Sequence, residues 1–376
     1  MKLPFSILLG LVSPLFAVPV YIGTNTGGNT GSKGIYQADF DPVTGKLSET
    51  KLAAEYRNPG FLVQHPTKPI LYACGQPNKS LDDGTDSVAA FSIGADHSLK
   101  FLGEVSSSGK DPCHVAVDAT GRVLAVANYG DGRIGLIKLT DEGMPEKVWF
   151  SYRNNLKGPG TNRRQEQSHA HGVYFDKTNL NLLIPDLGLD RIQVFHLKNA
   201  DVNVDSWKNI PSEGMPLLSA PGAGPRHMAF SPDEKHAYVI NELDCTILAA
   251  SHSNGAFKPI ETVSTLPGGF EGSNSTAEIE VSADGRFVYG SNRGHDSIVV
   301  FARDAESGKL TLVQHAPCGG KTPRHFKISP DGKWLLCGHQ GSSTISVLPR
   351  DPETGKLGEA KQTVSSPSPI CILFAR

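Results

Sequence analysis

The chain has 376 residues, 38% of them hydrophobic and 20% charged, with a formal net charge of −2 at pH 7. That length supports a large buried core, and the near-neutral balance leaves no electrostatic footprint for nucleic acid or for an anionic membrane surface. Its 40 glycines and 26 prolines favour many short strands joined by turns over long helices.

In chain order the first element is a leader. Met1 and Lys2 supply a positive end, residues 3–16 an apolar run, and Leu15-Phe16-Ala17 a small-residue cleavage site. Residues 1–17 are therefore expected to be a signal peptide, the alternative being a buried first segment of a cytoplasmic protein. The run is too short to make a good spanning helix. The mature chain, residues 18–376, is expected to be a single periplasmic or secreted domain without membrane association, and it opens at once on a strand-like run at 18–23.

A repeat follows. Residues 111–117 (DPCHVAV), 224–230 (GPRHMAF) and 322–328 (TPRHFKI) share one pattern. Each leads into a turn and then a second strand: VLAVAN at 123–128, HAYVIN at 236–241 and WLLCGH at 334–339. A polar loop and a third alternating strand come next, and the tag D-x-x-T/S-G-K-L appears at 41–47, 304–310 and 351–357. Asp and Gly serve the turns, and the alternation serves half-buried strands. Aligning the first strands gives Phe61, His114, Gly172, His227, Glu278, His325 and Cys371 as equivalent positions, 46 to 58 residues apart. Strands at this period predict a β-propeller. Six whole units start near residues 58, 111, 169, 224, 276 and 322. The tail at 368–374 matches only a first strand, and the head at 18–54 lacks one, so the two complete a split seventh blade. The fold class is all-β: a seven-bladed propeller of four-stranded antiparallel blades.

Because strand one starts where strand two ends, the approaches to the first strands and the exits of the second should meet at one mouth of the central channel. His169, His171, Arg226, Glu242, Arg293 and Arg324 are expected there, with the exit residue Asp186 close by. Arginine forks favour carboxylate or phosphate oxygens, so the expected partner is an anionic small molecule. His114, His227 and His325 recur at one blade position and read as structural bridges between blades. Asn128, Asn241 and Asn292 recur at the exits as loop caps. Glu278 replaces histidine at that same position, either as a functional carboxylate or as the partner of a neighbouring arginine. Residues that break the repeat are the stronger functional candidates.

His169 and His171, two apart in the stretch QEQSHAHGVYFD (165–176), could share one strand face, and Glu166 could join them on a metal. The arginines expected nearby disfavour a divalent cation, and a histidine beside a carboxylate serves better as a general acid or base. No metal is expected. The six cysteines (Cys74, Cys113, Cys245, Cys318, Cys337, Cys371) form no C-x-x-C pair and are expected as isolated buried thiols. The longest insertion, residues 149–168, delivers the two histidines; its Arg163 and Arg164 are expected in solvent, within reach of the mouth.

The segments SHAHGVYFD (168–176), GAGPRHMAFSPDEKHAYVINELDCTI (222–247), AEIEVSADGRFVYGSNRGHDSIVVF (277–301) and TPRHFKISPDGKWLLCGHQ (322–340) together resemble the seven-bladed propeller lactonases, a family that includes bacterial 6-phosphogluconolactonases and fungal carboxy-muconate lactonizing enzymes. The resemblance runs from about residue 19 to the end of the chain. It implies an active site of His171 (His169 being the alternative), Arg226, Glu242 and Arg293, and no metal or organic cofactor. The implied reaction is lactone hydrolysis, with His171 moving protons, the arginines holding anionic oxygen and Glu242 orienting one of them. His169, His227, Glu278, Arg324 and Asp186 are expected to contact substrate. An exported protein would favour an unphosphorylated aldonolactone or sugar-acid lactone over a phosphorylated one. Lactonization of an unsaturated dicarboxylate, or service as a non-enzymatic binding scaffold, are the competing readings. The sequence carries no signal of oligomeric state.

Overall fold

The alternating runs become strands, and the Gly- and Asp-rich tags become the turns that close them. The computed structural model describes residues 17–197 and 212–376, so the expected leader, apart from Ala17, lies outside the described residues. Among the described residues there are thirty strands, β1 to β30 in chain order, and no helix. They form seven antiparallel sheets, each joining strands close together in the chain except one. The exception combines β1 (Val18–Thr24) and β2 (Gly34–Asp41) with β30 (Pro369–Phe374), Val20 pairing with Phe374 and Ile22 with Ile372. This is the split blade, and it leaves the ring without an open edge.

Neighbouring blades are latched by the repeated tag. In the first copy Asp41 Oδ1 accepts the amide of Val43 at 2.9 Å, and Gly45 turns with φ +69°. A Cβ on Gly45 would lie 2.3 Å from the Trp334 ring, so only glycine lets the turn rest on that indole. Trp334 in turn donates its indole N–H to Pro42 O at 2.8 Å. The third copy does the same to another blade: Tyr289 donates its hydroxyl to Gly355 O at 2.7 Å. Each of these buried aromatic side chains contributes about 1.5–3 kcal/mol by leaving water. The tag is thus both a turn and a blade-to-blade contact.

The first strands surround the channel, and their geometry is irregular in the same place. In β18 (Pro225–Phe230) the pairing with β19 (His236–Asn241) shifts between Pro225 and His227. The equivalent shift falls between Pro323 and His325 in β26 (Pro323–Ile328) and between Thr276 and Ile279 in β22 (Ser275–Val281). Such bulges re-aim side chains, and here they fall beside the channel mouth. Just before the bulges, Asn58, Asp111, Gly224, Thr322 and Ser368 all have positive φ, each directly ahead of a proline. A residue before proline is steered toward extended backbone, so five left-handed residues at one blade position mark a conformation set by the ring.

One blade departs from the expected pattern. The strand anticipated from residue 169 is reduced to β13 (Tyr174–Phe175), and His169 to Gly172 run outside it, tied by a single bridge between Ala170 and Asp186. The histidines therefore do not lie on a regular strand face.

Candidate active site

The aligned first-strand residues meet at the axis. The Phe61 ring lies 4.1 Å from that of His114 and 5.6 Å from that of His325, and His114 and His227 are 5.2 Å apart, centroid to centroid. Glu278 bridges this layer: its Oε2 is 3.0 Å from His227 Nδ1 and 3.4 Å from His325 Nε2. The recurring histidines do join blades, as the repeat implies. Glu278, however, pairs with two histidines and not with an arginine. Burial pushes His114 and His227 well below the ordinary imidazole value and His325 down to about 4.

Toward the mouth sits a second layer, centred on Glu242. This residue directly follows β19, and its amide donates to Gly224 O at 2.7 Å, which fixes the turn. Arg226 Nε is 3.1 Å from Oε2, Arg293 Nη2 2.9 Å from Oε1 and Arg164 Nη1 2.7 Å from Oε1. Burial alone would raise the Glu242 carboxyl, but Arg293, Arg226 and Arg164 outweigh it and hold it down at about 2. The guanidinium groups are themselves braced: Arg226 donates to Ala277 O at 2.6 Å and Arg293 to Thr276 O at 2.5 Å. The bulge in β18 lets Arg226 and His227, adjacent in the chain, touch at 3.2 Å.

His171 joins this layer with its Nε2 3.6 Å from Glu242 Oε2 and its Nδ1 3.7 Å from Cys113 Sγ. Burial, reinforced by Arg226, His227 and Arg324, pushes it well below its ordinary value, so it is neutral at pH 7. His169 has a different setting. Its ring stacks on Tyr129 at 4.6 Å, its Nδ1 donates to Tyr129 O at 2.7 Å, and its Nε2 is 3.5 Å from the exposed Glu166. The two histidines share the Tyr129 ring but their nitrogens meet different partners, and among the described residues His169, His171 and Glu166 do not form a shared ligand set.

Two expectations are corrected here. Asp186 is fully buried, and its carboxylate is spent on the His169 amide at 2.8 Å, the Ser168 hydroxyl at 2.5 Å and the Gln193 amide at 2.8 Å. It shapes the turn that presents the histidines, with both of its oxygens engaged. Arg164 is only partly in solvent: besides Glu242 it holds the Tyr129 hydroxyl at 2.8 Å, whereas Arg163 is exposed. The pairing of Arg164 with Glu242, and the parts played by Tyr129 and Cys113, are what sequence reasoning missed. Of these, only Arg164 left a signal, lying in the one long insertion that precedes the histidines.

A cavity of about 340 Å³ opens beside these layers, lined by Arg226, His227, Arg324, His325 and Cys113, with Asn25, Asn58, Gln76 and Gln340 supplying amides. Arg324 has no ion-pair partner among the described residues, and burial with the adjacent Arg226 and Arg293 lowers it to about 9, so it stays charged at pH 7. Four guanidinium groups therefore gather at the mouth, three of them on Glu242, while the Asp111 carboxyl also lines the cavity and feels the charge of Arg324. Glu242, Arg293 and His171 stand behind the cavity wall, with the Tyr129 ring 5.3 Å from His171 and Arg164 over Glu242.

Comparison with known proteins agrees with this architecture. The 6-phosphogluconolactonase of Bacillus subtilis (strain 168) is 35% identical over 357 residues, covering 94% of this chain and 97% of that protein. The 6-phosphogluconolactonase of Formosa agariphila is 32% identical over 315 residues, covering 82% of this chain and 85% of its own length. Among solved structures, the periplasmic gluconolactonase of Pseudomonas aeruginosa superposes with a TM-score of 0.87 at 28% identity, covering 96% of this chain and 99% of that one. The model of the family described as "Lactonase, 7-bladed beta-propeller" matches residues 19–374, which takes in every blade and every residue of the mouth. The chain therefore belongs to the seven-bladed β-propeller lactonases and is a lactonase by kinship and fold.

Proposed function

We propose that this lactonase hydrolyses a sugar-acid lactone bound in the mouth cavity, with His171 as general base and the arginines as the anion clamp. The observation that carries the reading is the neutral His171 and the three arginines gathered on one ionised, buried Glu242, beside a cavity that holds the unpaired Arg324. The amides of Asn25, Asn58, Gln76 and Gln340 suit ring hydroxyls, and Arg226 and Arg324 suit the oxygen on which charge develops. His171 takes a proton from water as that water adds to the lactone carbonyl carbon. The acyl–oxygen bond to the ring oxygen then breaks, and the leaving alkoxide receives the proton from the imidazolium.

In the structure His171 is covered, with the Tyr129 ring against it and Arg164 holding the Tyr129 hydroxyl, so in this reading access opens when Arg164 leaves Glu242. An anionic ligand at the mouth competes with Glu242 for that guanidinium, which couples binding to exposure of the base. Glu242 is ionised too firmly to be a base itself, and it serves to position Arg226, Arg293 and His171.

The leader composition supports export, which favours an unphosphorylated aldonolactone or uronolactone. The test is a pH-stat assay of purified protein on glucono-δ-lactone, galactonolactone, a uronolactone and 6-phosphogluconolactone, with and without EDTA. Chelator-resistant turnover of an unphosphorylated member is expected. Activity confined to the phosphorylated lactone would refute the substrate, and loss of activity with EDTA would refute the metal-independent chemistry.

A further inference from the structure

Away from the mouth, blade packing brings together three residues that the sequence holds apart. Cys318 follows β25 (Leu310–Pro317), while Cys337 and His339 lie on β27 (Trp334–His339) of the next blade. All three are fully buried, and one donor atom from each lies within 4.8 Å of the others. The Cys318 Sγ to His339 Nδ1 distance is 3.9 Å. In a tetrahedral zinc site, bond lengths of ~2.3 Å to sulfur and ~2.05 Å to nitrogen put ligand atoms roughly 3.6–3.8 Å apart. The cluster needs only a small contraction to reach those edges.

The surroundings prepare the imidazole for this role. The Ser346 hydroxyl donates its one hydrogen to Cys318 O at 2.6 Å, so its oxygen accepts from His339 Nε2 at 2.8 Å. The proton is thereby placed on Nε2, and the bare Nδ1 lone pair faces the two sulfurs. Metal-bound histidines are held by this kind of outer hydrogen bond. Gly320 makes room for the ring, since a Cβ there would lie 2.4 Å from His339 Cγ. A fourth donor stands close as well: Asp296 O is 3.0 Å from Cys318 Sγ.

We propose that Cys318, Cys337 and His339 form a structural site for a thiophilic divalent d10 cation, of which zinc is the common biological case, with Asp296 O closing the coordination. Charge selects the divalent ion. Two thiolates and a neutral imidazole bring two negative charges into an apolar blade interface, which a divalent ion cancels. Binding releases the two thiol protons to solvent, and the ion cross-links two blades. None of the three side chains lines the mouth cavity, so the inference does not depend on the lactonase mechanism.

The experiment uses the full chain expressed with added zinc and, separately, with Co(II). Metal content after gel filtration should be about one ion per chain. The cobalt form should show a thiolate-to-metal charge-transfer band, and C318S and C337S should each lose both signals. X-ray absorption on the zinc-loaded wild type should find two sulfur neighbours, which decides the matter even if the variants fold poorly. Metal content near zero, a first shell of oxygen and nitrogen alone, or full retention of metal in both cysteine variants would overturn the proposal.

Discussion

Replacing Glu242 with Gln keeps the shape of the side chain and removes its charge. The carboxylate is 4% exposed and held at about 2, against 4.5 for an unperturbed glutamate, so no discount for solvent screening applies. A depression of this size corresponds to about 3 kcal/mol of folded-state stability at neutral pH. Unfolding entropy of about 2.1 cal/mol/K per residue makes this a fall in Tm of about 4 °C for a chain of this length. The sign follows from the lowered pKa. The contribution is complete above pH ~4.5, where the unfolded glutamate is also ionised, and is lost as pH falls toward the folded value. At pH 3 only about two-fifths of this remains, so the gap between wild type and Glu242→Gln should shrink to about 2 °C. Thermal melts of the two proteins from pH 7 to pH 3 supply the assay. Equal melting at pH 7, or a gap that stays constant down to pH 3, would refute the view that three arginines stabilise an ionised Glu242.

The other predictions concern turnover. His171→Ala should lower kcat roughly 10²–10⁴-fold with an unchanged circular dichroism spectrum, and retention of full activity would remove His171 as the base. Because the His171 pKa lies well below 6.5, kcat/KM should stay level from pH 7 through pH 6; a fall centred near 6.5 would show a base with an ordinary imidazole value. Arg324→Ala should raise KM for a lactone bearing a carboxylate or phosphate at least tenfold more than for a neutral one, read from paired saturation curves; an equal effect on both would deny Arg324 an anion-binding role.

What the sequence reveals depends on whether a residue obeys the repeat. The positions of Phe61, His114, His227, Glu278 and His325 are legible because one strand register recurs, and the structure brings those side chains into contact at the axis. Arg226, Glu242 and Arg293 stand out because they break that register, and they do meet. Arg164 is not legible, since its partner depends on how an irregular insertion folds back over the mouth. The Cys318–Cys337–His339 cluster escapes for another reason. Its donors are joined by packing between blades, and no spacing rule along the chain encodes that contact. The setting of Asp186 is not legible from its place at a strand exit, because its carboxylate turns inward to meet its own loop's amides.

The seam between β1 and β30 also has a mechanical meaning. The two strands run antiparallel with Val20 opposite Phe374, so the start of β1 and the end of β30 lie at the same end of the pair. A force applied between them loads the backbone hydrogen bonds one after another and peels the seam open like a zip. Each blade made of consecutive strands is held shut by its covalent turns, but the seam relies on hydrogen bonds and side-chain packing alone. Under tension, as on a filament or in an unfoldase pore, the ring should yield first at this joint and release the split blade before any other.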